Sequence, residues 1–115
     1  FGETKLMMRV YFSKSTNFYE TATAPMIYGV FRASLAAYSK LFSTKFAAKN
    51  IRMNNILPGF IDSLPSTEDR LARIPAERYA KVRELTEAVV FMASDKSSYI
   101  TGQNLRVDGG LTHSV

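Results

Sequence analysis

Tyr28 and Arg32 lie four residues apart in the segment "YGVFR". On a helix that spacing puts both side chains on one face, one turn apart, where a guanidinium can stabilise a phenolate. A phenol ordinarily titrates near pH ~10, so a neighbouring cation is what brings it into use as a proton donor and acceptor at neutral pH. The same spacing describes an ordinary helix pair, and the pair alone defines no reaction. A second feature is Pro58-Gly59, which abruptly stops the run "IRMNNIL". In parallel α/β sheets the ligand crevice opens at the carboxyl ends of strands, although Pro-Gly taken alone is a plain turn.

The elements that hold these residues follow from periodicity. The segment 8 to 13, "MRVYFS", is rich in β-branched and aromatic residues and predicts a short buried strand. The polar stretch "SKSTNFYETATAP" predicts a loop whose hydroxyls, Ser13 and Ser15 among them, also suit a turn. From Pro25 to Lys49, Ile27, Phe31, Leu35, Tyr38, Phe42 and Phe46 recur at helical intervals. Val30, Ala37, Leu41 and Ala48 form a second stripe, so this helix is expected to bury two faces. Asn50 suits the left-handed position that ends it.

Residues 51 to 57 predict the next strand, and the irregular segment 60 to 79, with Pro65 and Pro75, leaves room for a short helix near 67 to 74. A helix over 82 to 93 carries Val82, Leu85, Val89 and Met92 on one face, and "NLRVD" predicts a last strand closed by a turn at Asp108-Gly109-Gly110. The aromatic and Met residues Phe31, Phe42, Phe46, Phe91 and Met92 are expected to pack in the core. Strand, helix, strand, helix, strand is an α/β order, and right-handed crossovers make the sheet parallel.

Composition narrows the function. Fifteen Lys and Arg against ten Asp and Glu give +5, but the cations are dispersed, which argues against a nucleic-acid partner. Zero cysteines exclude a disulfide framework, a thiol nucleophile and a thiolate metal site, and fit a cytoplasmic chain. The single histidine, His113, excludes a His-based metal cluster within one chain. No apolar run reaches the ~18 residues of a membrane span, and "FGETKLMMRV" does not read as a signal peptide. Because residue 1 is Phe rather than Met, further residues are expected upstream.

"NIRMNNILPGFIDS" followed by "ELTEAVVFMASDKSSYITGQNLRVDGG" resembles the carboxyl-terminal half of the short-chain dehydrogenase/reductase family, of the 3-oxoacyl-carrier-protein reductase type. The resemblance covers residues 9 to 111. It implies a Rossmann-like doubly wound parallel sheet, here as a single domain over 1–115 that lacks the first βαβαβ half. The family's tyrosine precedes the residue before "IRxN" by 22 positions, which selects Tyr28, and its serine precedes that tyrosine by 13, which selects Ser15. The resemblance implies hydride transfer between NAD or NADP and a small carbonyl or alcohol. Tyr28 is then the proton donor, Ser15 orients the carbonyl oxygen, and Arg32 stands where the family has lysine. Tyr28, Arg32, Pro58, Gly59, Ile61 and Ser63 are the implied cofactor contacts.

The six glycines, at 2, 29, 59, 102, 109 and 110, form no phosphate-binding fingerprint. The adenine and phosphate end is therefore expected elsewhere, and the open sheet is expected to be covered by self-association or by a complementing amino-terminal half. The alternative is a non-enzymatic remnant of the family that acts as an oligomerising or interaction module.

Overall fold

The computed structural model describes residues 5–10 and 26–113, with side chains from residue 30 onward. Strand β1 (Lys5–Val10) leads to helix α1 (Met26–Phe46), a 3-10 turn (Ala47–Lys49) and strand β2 (Ile51–Pro58). A short helix α2 (Glu68–Ala72), helix α3 (Val82–Ala93), a 3-10 turn (Asp95–Ser97) and strand β3 (Asn104–Val107) follow. The three strands form one sheet in the order β1-β2-β3, parallel throughout, with Lys5 opposite Ile51 and Asn55 opposite Asn104. The expected α/β class and parallel sheet are therefore observed.

β1 includes Lys5, three residues before its composition predicts; residues 8–10 of the expected 8–13 strand lie in it, and residues 11–13 lie outside the described residues. Lys5 through Val10 pair with Ile51 through Ile56, so cross-strand register brings Lys5 through Met7 into the strand although local composition does not mark them. Helix α1 gives way to a 3-10 turn at its carboxyl end, and Asn50 takes the predicted left-handed conformation with φ 57°. The helix around 67 to 74 is shorter, capped by Thr67, whose Oγ1 accepts the Arg70 N–H at 3.4 Å.

β2 is buried from Arg52 through Pro58, and its alternating side chains meet a helix on each face. Ile56 packs with Leu85 and Met92 of α3, joined by Val89, Ile100, Leu105 and Val107. Asn55 faces α1, donating to Ser39 Oγ at 2.8 Å and to Asn104 Oδ1 at 2.7 Å. A second cluster of Ile74, Tyr79 and Leu111, with Phe60 and Leu71 against it, fastens the 60–79 segment to the carboxyl end.

The buried face of α1 is not the aromatic stripe. Ser39 and Ser43 are the residues turned inward, each hydroxyl satisfied by a carbonyl of its own helix, Leu35 O at 2.9 Å and Lys40 O at 2.8 Å. Small side chains let the helix approach the sheet closely. Gly102, at φ +71°, packs against Ser43 and the Lys40 stem, where any Cβ would collide. Val30, Phe31, Tyr38 and Leu41 are instead 55–70% exposed, and Phe91 is exposed on α3, so of the expected aromatic and Met core only Met92 is fully buried. The expectation of two buried faces on α1 is corrected accordingly.

At the carboxyl end of α3, polar groups join the apolar packing. Arg52, 4% exposed, donates through Nη1 to Met92 O, Ser97 O and Ser97 Oγ, and through Nη2 to Ser94 O, at 2.9–3.1 Å. These carbonyls close the carboxyl end of α3, where a cation also complements the helix dipole. Asn54 donates to Ile100 O at 3.0 Å and accepts the Gln103 N–H at 3.0 Å, fixing the turn into β3.

Candidate active site

Helix α1 runs antiparallel to β2. Ser39 meets Asn55, while Ser43, one turn later, packs on Gly102, whose N–H donates to Met53 O at 2.7 Å. Positions 32 and 28 lie about 10 and 16 Å from Ser39 toward the helix start, at ~1.5 Å per residue. At ~3.3 Å per strand residue, that is level with about residues 58 and 60, where β2 runs out into Pro58-Gly59-Phe60. The fold thus brings the amino-terminal end of α1 and the carboxyl end of β2 to the same edge of the sheet, the edge at which parallel sheets bind ligands.

Tyr28 and Arg32 occupy helical positions one turn apart in α1, and Arg32 is half-buried and engaged with other groups. Ser15 lies outside the described residues. Pro58 is fully buried, and the Gly59 N–H continues the ladder by donating to Val107 O at 2.9 Å. A Cβ on Gly59 would sit 2.8 Å from Asp108 Cα, so this crossing of two strand ends requires glycine. Ile61 bridges Ala80, and its carbonyl accepts the Leu64 N–H at 3.2 Å, while Ser63 is exposed. Asp108, at the turn predicted there, accepts from the N–H groups of Gly110 and Thr112 at 3.0 and 3.1 Å.

The same loop holds a feature that periodicity did not reveal. The Phe60 ring stacks on buried Tyr79, with centroids 5.4 Å apart and 19° between planes, and the Arg70 guanidinium lies 5.3 Å over the Phe60 ring. The three residues come from a loop, a short helix and a turn, so no spacing links them in the chain.

Two carboxylates hold the start of α3 beside this loop. Asp62 Oδ1 accepts the Val82 N–H at 3.1 Å, and Glu84 accepts the Lys81 N–H at 2.8 Å and a two-pronged contact from Arg78 at 2.7 and 2.8 Å. The Arg78 hydrogen bonds, with help from the Lys81 N–H, lower the Glu84 carboxyl from its ordinary 4.5 to about 2. The folded value is the lower one, so the contribution is complete above about pH 4.5 and is lost as pH falls toward 2. Glu84→Gln is expected to flatten the acid limb of the stability profile in that window, measured by urea unfolding at a series of pH values. An unchanged limb would show that Arg78 gives the carboxylate no net advantage over water.

This architecture is that of an open, Rossmann-like α/β sheet with a helix on each face and a site edge at its strand ends. A family profile described as "Enoyl-(Acyl carrier protein) reductase" matches residues 10–112. The chain is similar to the 3-oxoacyl-[acyl-carrier-protein] reductases FabG of Thermotoga maritima (40% identical) and Chlamydia trachomatis (43% identical), each over 91 residues. Those matches cover 73% of this chain and 37% of each relative, so the chain spans a little over a third of the length of the curated relatives it matches. Among solved structures, one assigned as a 2-deoxy-D-gluconate 3-dehydrogenase from Agrobacterium tumefaciens, with bound NADP, is 29% identical at a TM-score of 0.76, covering 92% of this chain and 46% of that one. A 4-hydroxyisoleucine dehydrogenase complexed with NADH and succinate shares the fold at 21% identity and a TM-score of 0.80, over 96% of this chain and 47% of that one. The chain belongs to the short-chain dehydrogenase/reductase family of oxidoreductases. Among the described residues no helix is long and apolar enough to cross a membrane.

Proposed function

We propose that this chain is the nicotinamide and substrate half of an NAD(P)-dependent oxidoreductase that reduces a small carbonyl compound or oxidises the corresponding alcohol. The observation that carries the reading is the common level of helical positions 28 and 32 with the Pro58–Phe60 loop. In this reading Tyr28 passes a proton to the carbonyl oxygen, Ser15 donates a hydrogen bond to the same oxygen, and Arg32 keeps the tyrosine acidic enough to act. Pro58, Gly59, Ile61 and Ser63 border the nicotinamide, which when bound supplies or accepts the hydride. Arg32 retains the charge of the family's lysine but cannot lose a proton to a relay. Turnover is therefore expected to rise in Arg32→Lys, measured as NAD(P)H oxidation, and a rate no higher than that of the unchanged chain would overturn the assignment of Arg32 as a handicap.

The described residues suit only the nicotinamide end of such a cofactor. Gly102, Gly109 and Gly110 are packed against Ser43, Ile74 with Ala76, and Pro75 respectively, and form no cradle for a pyrophosphate. That observation favours the second reading, a family remnant that serves as an oligomerising or interaction module. Titration with NADH and with NADPH, followed by nicotinamide fluorescence, separates the two: saturable binding supports the oxidoreductase, and none at millimolar cofactor supports the module. In either reading the exposed Val30, Phe31, Tyr38 and Leu41 on α1 lead us to expect an oligomer or a complementing partner chain, which sedimentation would detect.

A further inference from the structure

We infer that Arg70 is a specificity-determining residue that receives a carboxylate of the substrate, so that the carbonyl compound handled at this site is an oxo acid rather than a neutral ketone. The inference rests on the oxidoreductase reading above and adds the charge of its substrate.

Arg70 is half-buried, and its guanidinium makes no hydrogen bond or ion pair among the described residues. Its contact there is the Phe60 ring, 5.3 Å away, and that ring is itself fixed by stacking on buried Tyr79. None of the Arg70 nitrogens is a buried donor without a partner, and a cation–π contact with a ring leaves the N–H groups available for an acceptor. A guanidinium presents a planar fork that can make two parallel bonds to a carboxylate. Phe60 follows directly on Pro58-Gly59, so the cation, carried by α2, touches the loop that borders the proposed crevice.

Glu68 and Asp69 precede Arg70 in α2, and the other cations of the segment are placed elsewhere. Arg78, the nearby cation on the same segment, is committed to Glu84 at 2.7 and 2.8 Å. Arg73 is exposed and lines a separate cleft with Ile74, Pro75, Glu77, Leu111 and His113. One guanidinium fits one carboxylate, whereas a phosphate dianion would call for a second cation beside it.

The test is binding, without cofactor, of 3-oxobutanoate and of its uncharged methyl ester to the 15N-labelled 115-residue chain, followed at the Arg70 Nε–H resonance. We expect the acid to bind saturably, with the ester weaker by about 10- to 100-fold, the range of a charge-assisted hydrogen bond. Arg70→Gln should lose the acid by the same factor and leave the ester unchanged. Arg70→Lys, which keeps charge but not the fork, should fall between. Equal binding of acid and ester to the unchanged chain, no saturable shift at Arg70, or full acid binding by Arg70→Gln would each overturn the inference. The readout needs no nicotinamide: failure to bind NADH or NADPH counts against the oxidoreductase reading, and failure to distinguish acid from ester counts against this one.

Discussion

Replacing Arg52 with methionine is expected to lower the unfolding free energy by about 3–5 kcal/mol. The side chain is 4% exposed in the central strand and has no carboxylate partner in its network. Its acceptors are the carbonyls of Met92, Ser94 and Ser97, and the Ser97 hydroxyl. Methionine fills much of the volume but returns none of the donors, and each carbonyl left dry carries its own desolvation cost. Against a whole-domain stability of about 5–15 kcal/mol, such a loss brings a chain of this size to the edge of unfolding. The check is urea unfolding beside Arg83→Met. Arg83 pairs with Glu87 at 2.7 Å on the exposed face of α3, and its loss should cost no more than about 0.5 kcal/mol. A similar small change for Arg52→Met would mean that water replaces the guanidinium at the end of α3.

Tyr28→Phe is expected to lower the turnover of carbonyl reduction by about 10²–10⁴-fold while leaving NAD(P)H binding within a fewfold of the unchanged chain. The substitution deletes one hydroxyl and leaves the ring, so a fall in kcat with little change in KM is the mark of a group that acts in the transition state. Tyr38, nearly three turns further along α1 and 55% exposed, is the control, and Tyr38→Phe should leave kcat unchanged. A decrease of less than tenfold in Tyr28→Phe would remove Tyr28 from the proton transfer.

What could be read in the chain was whatever depends on near neighbours. The helix over 82–93, the left-handed Asn50 and the turn at Asp108-Gly109-Gly110 rest on local spacing and local backbone preference, and all three are present as expected. What could not be read depends on distant partners. Lys5 through Met7 belong to β1 because Ile51 through Met53 are opposite them. α1 turns Ser39 and Ser43 inward because the sheet beneath offers Asn55 and the Gly102 turn, and a hydrophobicity pattern scores those serines as surface. Arg52, Asn54 and Asn55 would each be judged exposed by type, yet all three are buried because groups 16 to 49 residues away, from α1, the end of α3, the turn into β3 and β3 itself, supply their hydrogen bonds. At the site edge, the family's motif spacing led to Tyr28 and the Pro58-Gly59 loop. The stack of Arg70, Phe60 and Tyr79 arises in an irregular segment with no period to betray it.

The separation of β2 from its partners also has a consequence in time. Arg52 and Ser97 are 45 positions apart, and Asn54 and Ile100 are 46 apart. At the usual ~5–20 residues per second of synthesis, those 45 positions take roughly 2–9 s to emerge. For that interval the nascent chain carries a strand whose Arg52 guanidinium and Asn54 amide have none of their partners yet made, while Asn55 has only Ser39. Polar side chains at those positions keep the waiting strand compatible with water and discourage premature pairing with other strands, a protection that an all-apolar strand would lack.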